Sequence, residues 1–146
     1  MGQRSQGILV GIAVFMAVAM IVGGAIVLAR GGGGSTIRGT RGADRLIGTP
    51  GPDRILGRGG ADVIKGRGGA DVLIGGAGGD RITGGFGDDR LIGGPGRDRL
   101  RARYQGHDTL DCGGRRDVAS VGRAEDGVFD CERLVIPHPD RNGGKR

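Results

Sequence analysis

Aspartate recurs at every ninth residue through the middle of this chain, at Asp44, Asp53, Asp62, Asp71, Asp80, Asp89 and Asp98. Glycine stands five and two residues before each of them, from Gly39 and Gly42 to Gly93 and Gly96. Leu or Ile stands two residues after each, at Leu46, Ile55, Ile64, Leu73, Ile82, Leu91 and Leu100. A unit this short cannot bury a core alone, so the repeats must stack on one another. Each unit divides into a turn and a three-residue strand, with the fixed glycines supplying positive φ in the turn. Strand alternation then points one aliphatic side chain inward per repeat. Two units complete a flattened coil, and residues 18 apart lie one strand spacing (about 4.8 Å) above each other. The expected fold is all-β: a parallel β-roll, or β-solenoid, with two rows of aliphatic side chains inside.

Stacking also piles up carboxylates and turn carbonyls. A hard cation between successive turns on one side answers both, because Ca²⁺ takes six to eight oxygen ligands from carboxylates and carbonyls. Pairing aspartates 18 apart, from Asp44/Asp62 to Asp80/Asp98, gives about five ions by this ligand rule. Mg²⁺ demands a tighter octahedron, and turns without Cys or His do not suit Zn²⁺ or Cu⁺.

These units resemble the haemolysin-type calcium-binding (RTX) nonapeptide, G-G-x-G-x-D-x-aliphatic-x, over Gly39 to Arg101. The resemblance implies a Ca²⁺-binding β-roll in which each motif Asp gives a carboxylate and the glycine-rich turns give carbonyls. Thr40, Thr49, Arg58 and Arg67 replace the second glycine of the motif, which predicts weaker sites in the first four turns.

Beyond Arg101 the beat continues in a degraded form. Asp108 with Leu110, Asp117 with Ala119 and Asp126 with Val128 keep the Asp-x-apolar spacing after one inserted residue, but Gly106 alone keeps a fixed turn glycine. Residues 102–136 therefore read as a degenerate C-terminal cap rather than as further ion sites. Cys112 and Cys131 are the only cysteines. With no C-x-x-C and no four-ligand zinc spacing, a structural disulfide closing the cap is the expectation.

Ile8 to Ala29 is apolar apart from glycine and follows Arg4. The pattern predicts one hydrophobic N-terminal helix, a signal peptide or membrane anchor occupying 1–30. Either fate places the repeats outside the cytoplasm, secreted or held on the outer face of the cytoplasmic membrane, where disulfides persist. Residues 31–38 read as a flexible linker, 39–101 as the seven-repeat roll, and 137–146 as a disordered tail.

The charge balance runs against a simple cation binder: 22 Lys and Arg face 16 Asp and Glu, a formal net charge of +6. Arg45, Arg54, Arg81, Arg90 and Arg99 follow motif aspartates directly, and alternation turns them outward. They define the alternative reading, a binder of anionic cell-envelope polymers. Gly-Arg segments near Arg58 and Arg67 lack the aromatic stacking platforms of single-strand nucleic-acid binders, so nucleic acid is not an expected partner. No nucleophile elbow or H-E-x-x-H motif occurs, and no enzyme activity is expected. The sequence thus predicts an extracellular module that folds around Ca²⁺ and serves as a structural or adhesive surface element.

Overall fold

The computed structural model describes residues 19–21, 24–28, 33–103, 106–114, 116–122 and 126–136. Its strands form two facing sheets. One contains β2 (Gly24–Leu28), β4 (Arg45–Ile47), β6 (Val63–Gly68), β8 (Arg81–Phe86), β10 (Arg99–Arg101), β12 (Val118–Ser120) and β14 (Arg133–Val135) in that order, with β1 (Ala19–Ile21) antiparallel at its edge. The other runs through β3 (Thr36–Arg38), β5 (Arg54–Gly59), β7 (Val72–Ala77), β9 (Arg90–Ile92), β11 (Thr109–Asp111) and β13 (Gly127–Phe129). From β2 and β3 onward every pairing is parallel, and strands alternate between the sheets along the chain.

The register follows from the repeat length. Arg54 lies beside Val72 and Val63 beside Arg81, each 18 residues on. After Arg101 the offset becomes 19, with Arg99 beside Val118 and Arg90 beside Thr109, so the inserted residue is absorbed without breaking the ladder. The last coil is short, pairing Val118 with Arg133.

The core is the expected pair of rows. Leu46, Ile64, Ile82, Leu100 and Ala119 line one sheet, and Ile37, Ile55, Leu73, Leu91 and Leu110 the other, none more than 3% exposed. Ala102, Cys112 and Val121 join them at the degenerate end. There Leu134, in register with Ala119, is 48% exposed, and the strands β11 to β14 extend the ladder.

Two expectations are corrected. Thr36–Arg38, assigned to a flexible linker over 31–38, is a rung of the solenoid: Ile37 is buried and Ser35 stands where later repeats carry Asp. Within the apolar leader the described pieces Ala19–Ile21 and Gly24–Leu28 are strands, not helix, and Ile26–Leu28 pairs with the otherwise open edge of β4. Their side of β4 offers unpaired amides and carbonyls, which a β-branched apolar segment satisfies as readily as a helix satisfies its own. The remainder of 1–30 and the tail 137–146 lie outside the described residues. No helix among the described residues is long and apolar enough to cross a membrane.

Candidate metal centre

Each motif aspartate closes its turn with the side chain folded inward, and the stacking lines the aspartates up in two columns. Asp44, Asp62, Asp80, Asp98 and Asp117 form one; Asp53, Asp71, Asp89, Asp108 and Asp126 form the other, with Ser35 at its head. Down each column, from Asp53 and Asp62 onward, one oxygen of each carboxylate accepts the backbone N–H of the residue one coil earlier. Asp44 donates to Oδ1 of Asp62 at 2.7 Å, Asp62 to Asp80 at 2.8 Å, Asp80 to Asp98 at 2.8 Å and Asp98 to Asp117 at 2.7 Å.

The second oxygen is different. Oδ2 of Asp62, Asp71, Asp80, Asp89, Asp98, Asp108 and Asp117 is buried without a hydrogen-bond partner. A buried carboxylate with an orphaned oxygen carries a large desolvation cost unless a cation or proton joins it. Burial pushes the carboxyls of Asp62, Asp71, Asp80 and Asp98 up to about 6 and that of Asp89 to about 7; Asp108 is raised as well. The amide from the preceding coil pulls each back in part, and neighbouring carboxylates in the column push further upward.

The first fixed glycine supports this arrangement by closeness rather than by φ. A Cβ on Gly75 would collide with Oδ2 of Asp80 and stand 2.8 Å from the Gly93 carbonyl; one on Gly93 would lie 2.6 Å from Oδ2 of Asp98 and 2.7 Å from the Cys112 carbonyl. Carboxylate and carbonyl oxygens therefore converge on one spot from adjacent coils. Positive φ falls instead at the second and fourth motif positions, and Arg58 (φ 86°) and Arg67 (φ 92°) adopt it despite their side chains. Expectation placed it at both fixed glycines; the first needs room for oxygens, not a left-handed backbone.

Thr40 and Thr49 solve their turns in another way. Neither they nor Gly42 and Gly51 take positive φ. The backbone N–H of Thr40 donates to Oδ2 of Asp44, and its hydroxyl reaches both oxygens at 3.1 and 3.0 Å. Thr49 does the same for Asp53, at 3.0 and 3.1 Å, and Gly51 donates back to the Thr49 hydroxyl at 3.2 Å.

All seven predicted aspartates thus lie buried in the two columns. Sequence reasoning left out Asp108, Asp117 and Asp126, which continue them, although the Asp-x-apolar beat was the signal. Ser35 was also missed; it sits nine residues before Asp44 and two before Ile37. The five arginines do not share a face: Arg45, Arg81 and Arg99 project from one sheet, Arg54 and Arg90 from the other. Cys112 and Cys131 are joined as a disulfide, with Cα atoms 5.1 Å apart.

Among the described residues no three His, Cys, Asp or Glu side chains gather around one point. A bound cation would have to take most of its ligands from backbone carbonyls. Hard oxygen donors, paired carboxylates and turn carbonyls are what Ca²⁺ requires, and the residues fit it.

The family comparison agrees with this chemistry. The model of the RTX calcium-binding nonapeptide repeat matches in four overlapping copies, at 30–64, 38–73, 47–82 and 65–100. Residues 30–100 are thus RTX calcium-binding nonapeptide repeats. No curated protein and no solved structure matches it.

Proposed function

We propose that this chain is an extracellular Ca²⁺-binding module whose roll is completed by ions seated between stacked turns. The observation that carries the reading is the set of buried, unpartnered Oδ2 atoms, each in a column of like charges. Asp62, Asp71, Asp80, Asp89 and Asp98 would hold the ions, with a carbonyl of the following coil beside Asp62, Asp71, Asp80 and Asp98. Ca²⁺ supplies positive charge where the columns lack it, and its binding free energy becomes folding free energy. The disulfide favours an oxidising compartment, and the lack of catalytic motifs favours a structural or adhesive surface role over an enzyme. The test is far-UV circular dichroism of the full chain during Ca²⁺ titration, with Mg²⁺ as control. A gain of β signal with Ca²⁺ that Asp80→Asn weakens is expected; a spectrum indifferent to millimolar Ca²⁺ overturns the reading.

A second reading concerns partners. The outer face of the sheet from β4 to β14 exposes Arg45, Lys65, Arg81, Arg99, Arg101 and Arg133, and no acidic residue occupies either of its outward columns. The opposite sheet instead carries Leu56, Ile74 and Ile92 between its arginines. A one-sided row of guanidinium groups fits a linear anionic cell-surface polymer. Replacing Arg81, Arg99 and Arg101 with Gln should abolish retention on an immobilised polyanion, while the same change at Arg54 and Arg90 should not. Equal losses from the two sets would dismiss a dedicated face.

A further inference from the structure

We propose that the ion-binding columns of this chain are displaced toward the C-terminus of the matched repeats: Asp117, with the carbonyls of Gly94 and Gly96, forms a cation site beyond them, and the turns of Asp44 and Asp53 take no ion. The inference rests on the Ca²⁺ reading above and changes which residues serve it.

The C-terminal half of the argument starts from Asp117. It is fully buried, its Oδ1 is taken by the amide of Asp98, and its Oδ2 has no partner. The position where a Cβ on Gly114 would stand lies 3.3 Å from that Oδ2, 3.5 Å from the Gly94 carbonyl and 3.8 Å from the Gly96 carbonyl. Three oxygens from two coils therefore face one open point, held open because residue 114 is glycine. Gly114 also lines a surface cleft in which Asp130 and Glu132 stand together with Arg116. Four arginines, Arg97, Arg99, Arg116 and Arg133, line the neighbouring cleft against Asp98 and Asp117. They repel cations from the rim, yet none of them reaches the orphaned oxygens. The Coulomb cost from exposed, solvated charges is small beside that of a buried carboxylate left unpaired.

At the other end the threonines perform the ion's task. Oδ2 of Asp44 and of Asp53 each receives a backbone N–H and a hydroxyl within its own turn. An amide proton on Oδ2, and a hydroxyl proton within reach of both carboxylate oxygens, are what a cation would have to displace. These turns match the family motif in sequence while their ligand positions are already filled.

Equilibrium dialysis of the full chain against radioactive Ca²⁺ counts the ions directly. Asp117→Asn should bind fewer ions than the wild type, and the double variant Asp44→Asn with Asp53→Asn should bind the wild-type number. Gly114→Ala guards against misfolding of the Asn variant. Its added methyl would stand 3.3 Å from Oδ2 of Asp117, a contact that a shift of a few tenths of an ångström in that carboxylate relieves, and Gly114 has no positive φ, so the backbone accepts it while the open point is filled. Loss of ions from Gly114→Ala with unchanged circular dichroism supports the site. A wild-type ion count in both Asp117→Asn and Gly114→Ala, or a loss in the Asp44/Asp53 variant, overturns the displaced columns while leaving the Ca²⁺ reading in place. A wild-type chain that retains no ion overturns both.

Discussion

At Gly66 an added Cβ would collide with Oδ2 of Asp71 and stand 2.7 Å from the Gly84 carbonyl, whereas the next residue, Arg67, is held at φ 92° with a side chain that dislikes it. The two neighbours answer to different constraints, so substitutions at them should have opposite signs. Gly66→Ala should destabilise the Ca²⁺-loaded roll by about 1–3 kcal/mol, the usual cost of forcing volume into a packed site. Arg67→Gly should stabilise it by about 0.5–1 kcal/mol, since relief of left-handed strain exceeds the added freedom of the unfolded chain. Denaturant midpoints of the two variants in saturating Ca²⁺ check both signs; a destabilised Arg67→Gly would show that the guanidinium holds the turn. The aspartates and aliphatic residues of the repeat were legible because their period is rigid. The division of labour between the glycines was not, because a one-letter pattern does not say whether glycine is needed for its φ or for its missing Cβ.

Among the elements, β11 to β14 carry the least regular sequence yet keep the register of the rungs before them. The missing glycines read as the end of the ladder, but Asp108, Asp117, Leu110 and Ala119 are as buried as their counterparts in the strict repeats. Four residues after Asp98, Asp108 and Asp117, where the strict repeats place the first fixed glycine, Ala102, Cys112 and Val121 stand instead and pack into the core, a substitution that only the three-dimensional stack makes visible. Ser35 and Ile37 were hidden for a similar reason, since a run of glycines before them reads as linker. The disulfide spans 19 residues from β11's turn to the last rung, and on the chain-entropy model a loop of that size is worth about 3 kcal/mol. Reduction, or Cys112→Ser with Cys131→Ser, should therefore strip hydrogen-exchange protection from β13 and β14 while β5 to β8 keep theirs. Uniform loss across all the strands would mean that the roll melts as one unit.

For the molecule as a whole, the buried columns set a pH dependence whose sign depends on the ion. The carboxyls of Asp62, Asp71, Asp80 and Asp98 titrate near 6 and that of Asp89 near 7 in the folded chain, against 3.8 for an ordinary Asp. Between those limits the folded state holds more protons than the unfolded one, so without Ca²⁺ stability is greatest in acid and falls as pH rises toward neutrality. With Ca²⁺ the carboxylates must be bare to ligate, protons compete, and stability should rise over the same window. Thermal midpoints in chelator and in saturating Ca²⁺, at about pH 4.5 and pH 7.5, should therefore change in opposite directions; parallel trends would mean that the columns do not hold the metal. The amide-to-carboxylate bonds of those columns also run one way, from each coil to its successor. A coil is finished only by the 18 or 19 residues that follow it. Growth from a ribosome would thus leave the newest coil always incomplete, awaiting the next aspartate. At the far end the register sets the exposed Glu132 opposite Asp117, and there a covalent link takes over from succession.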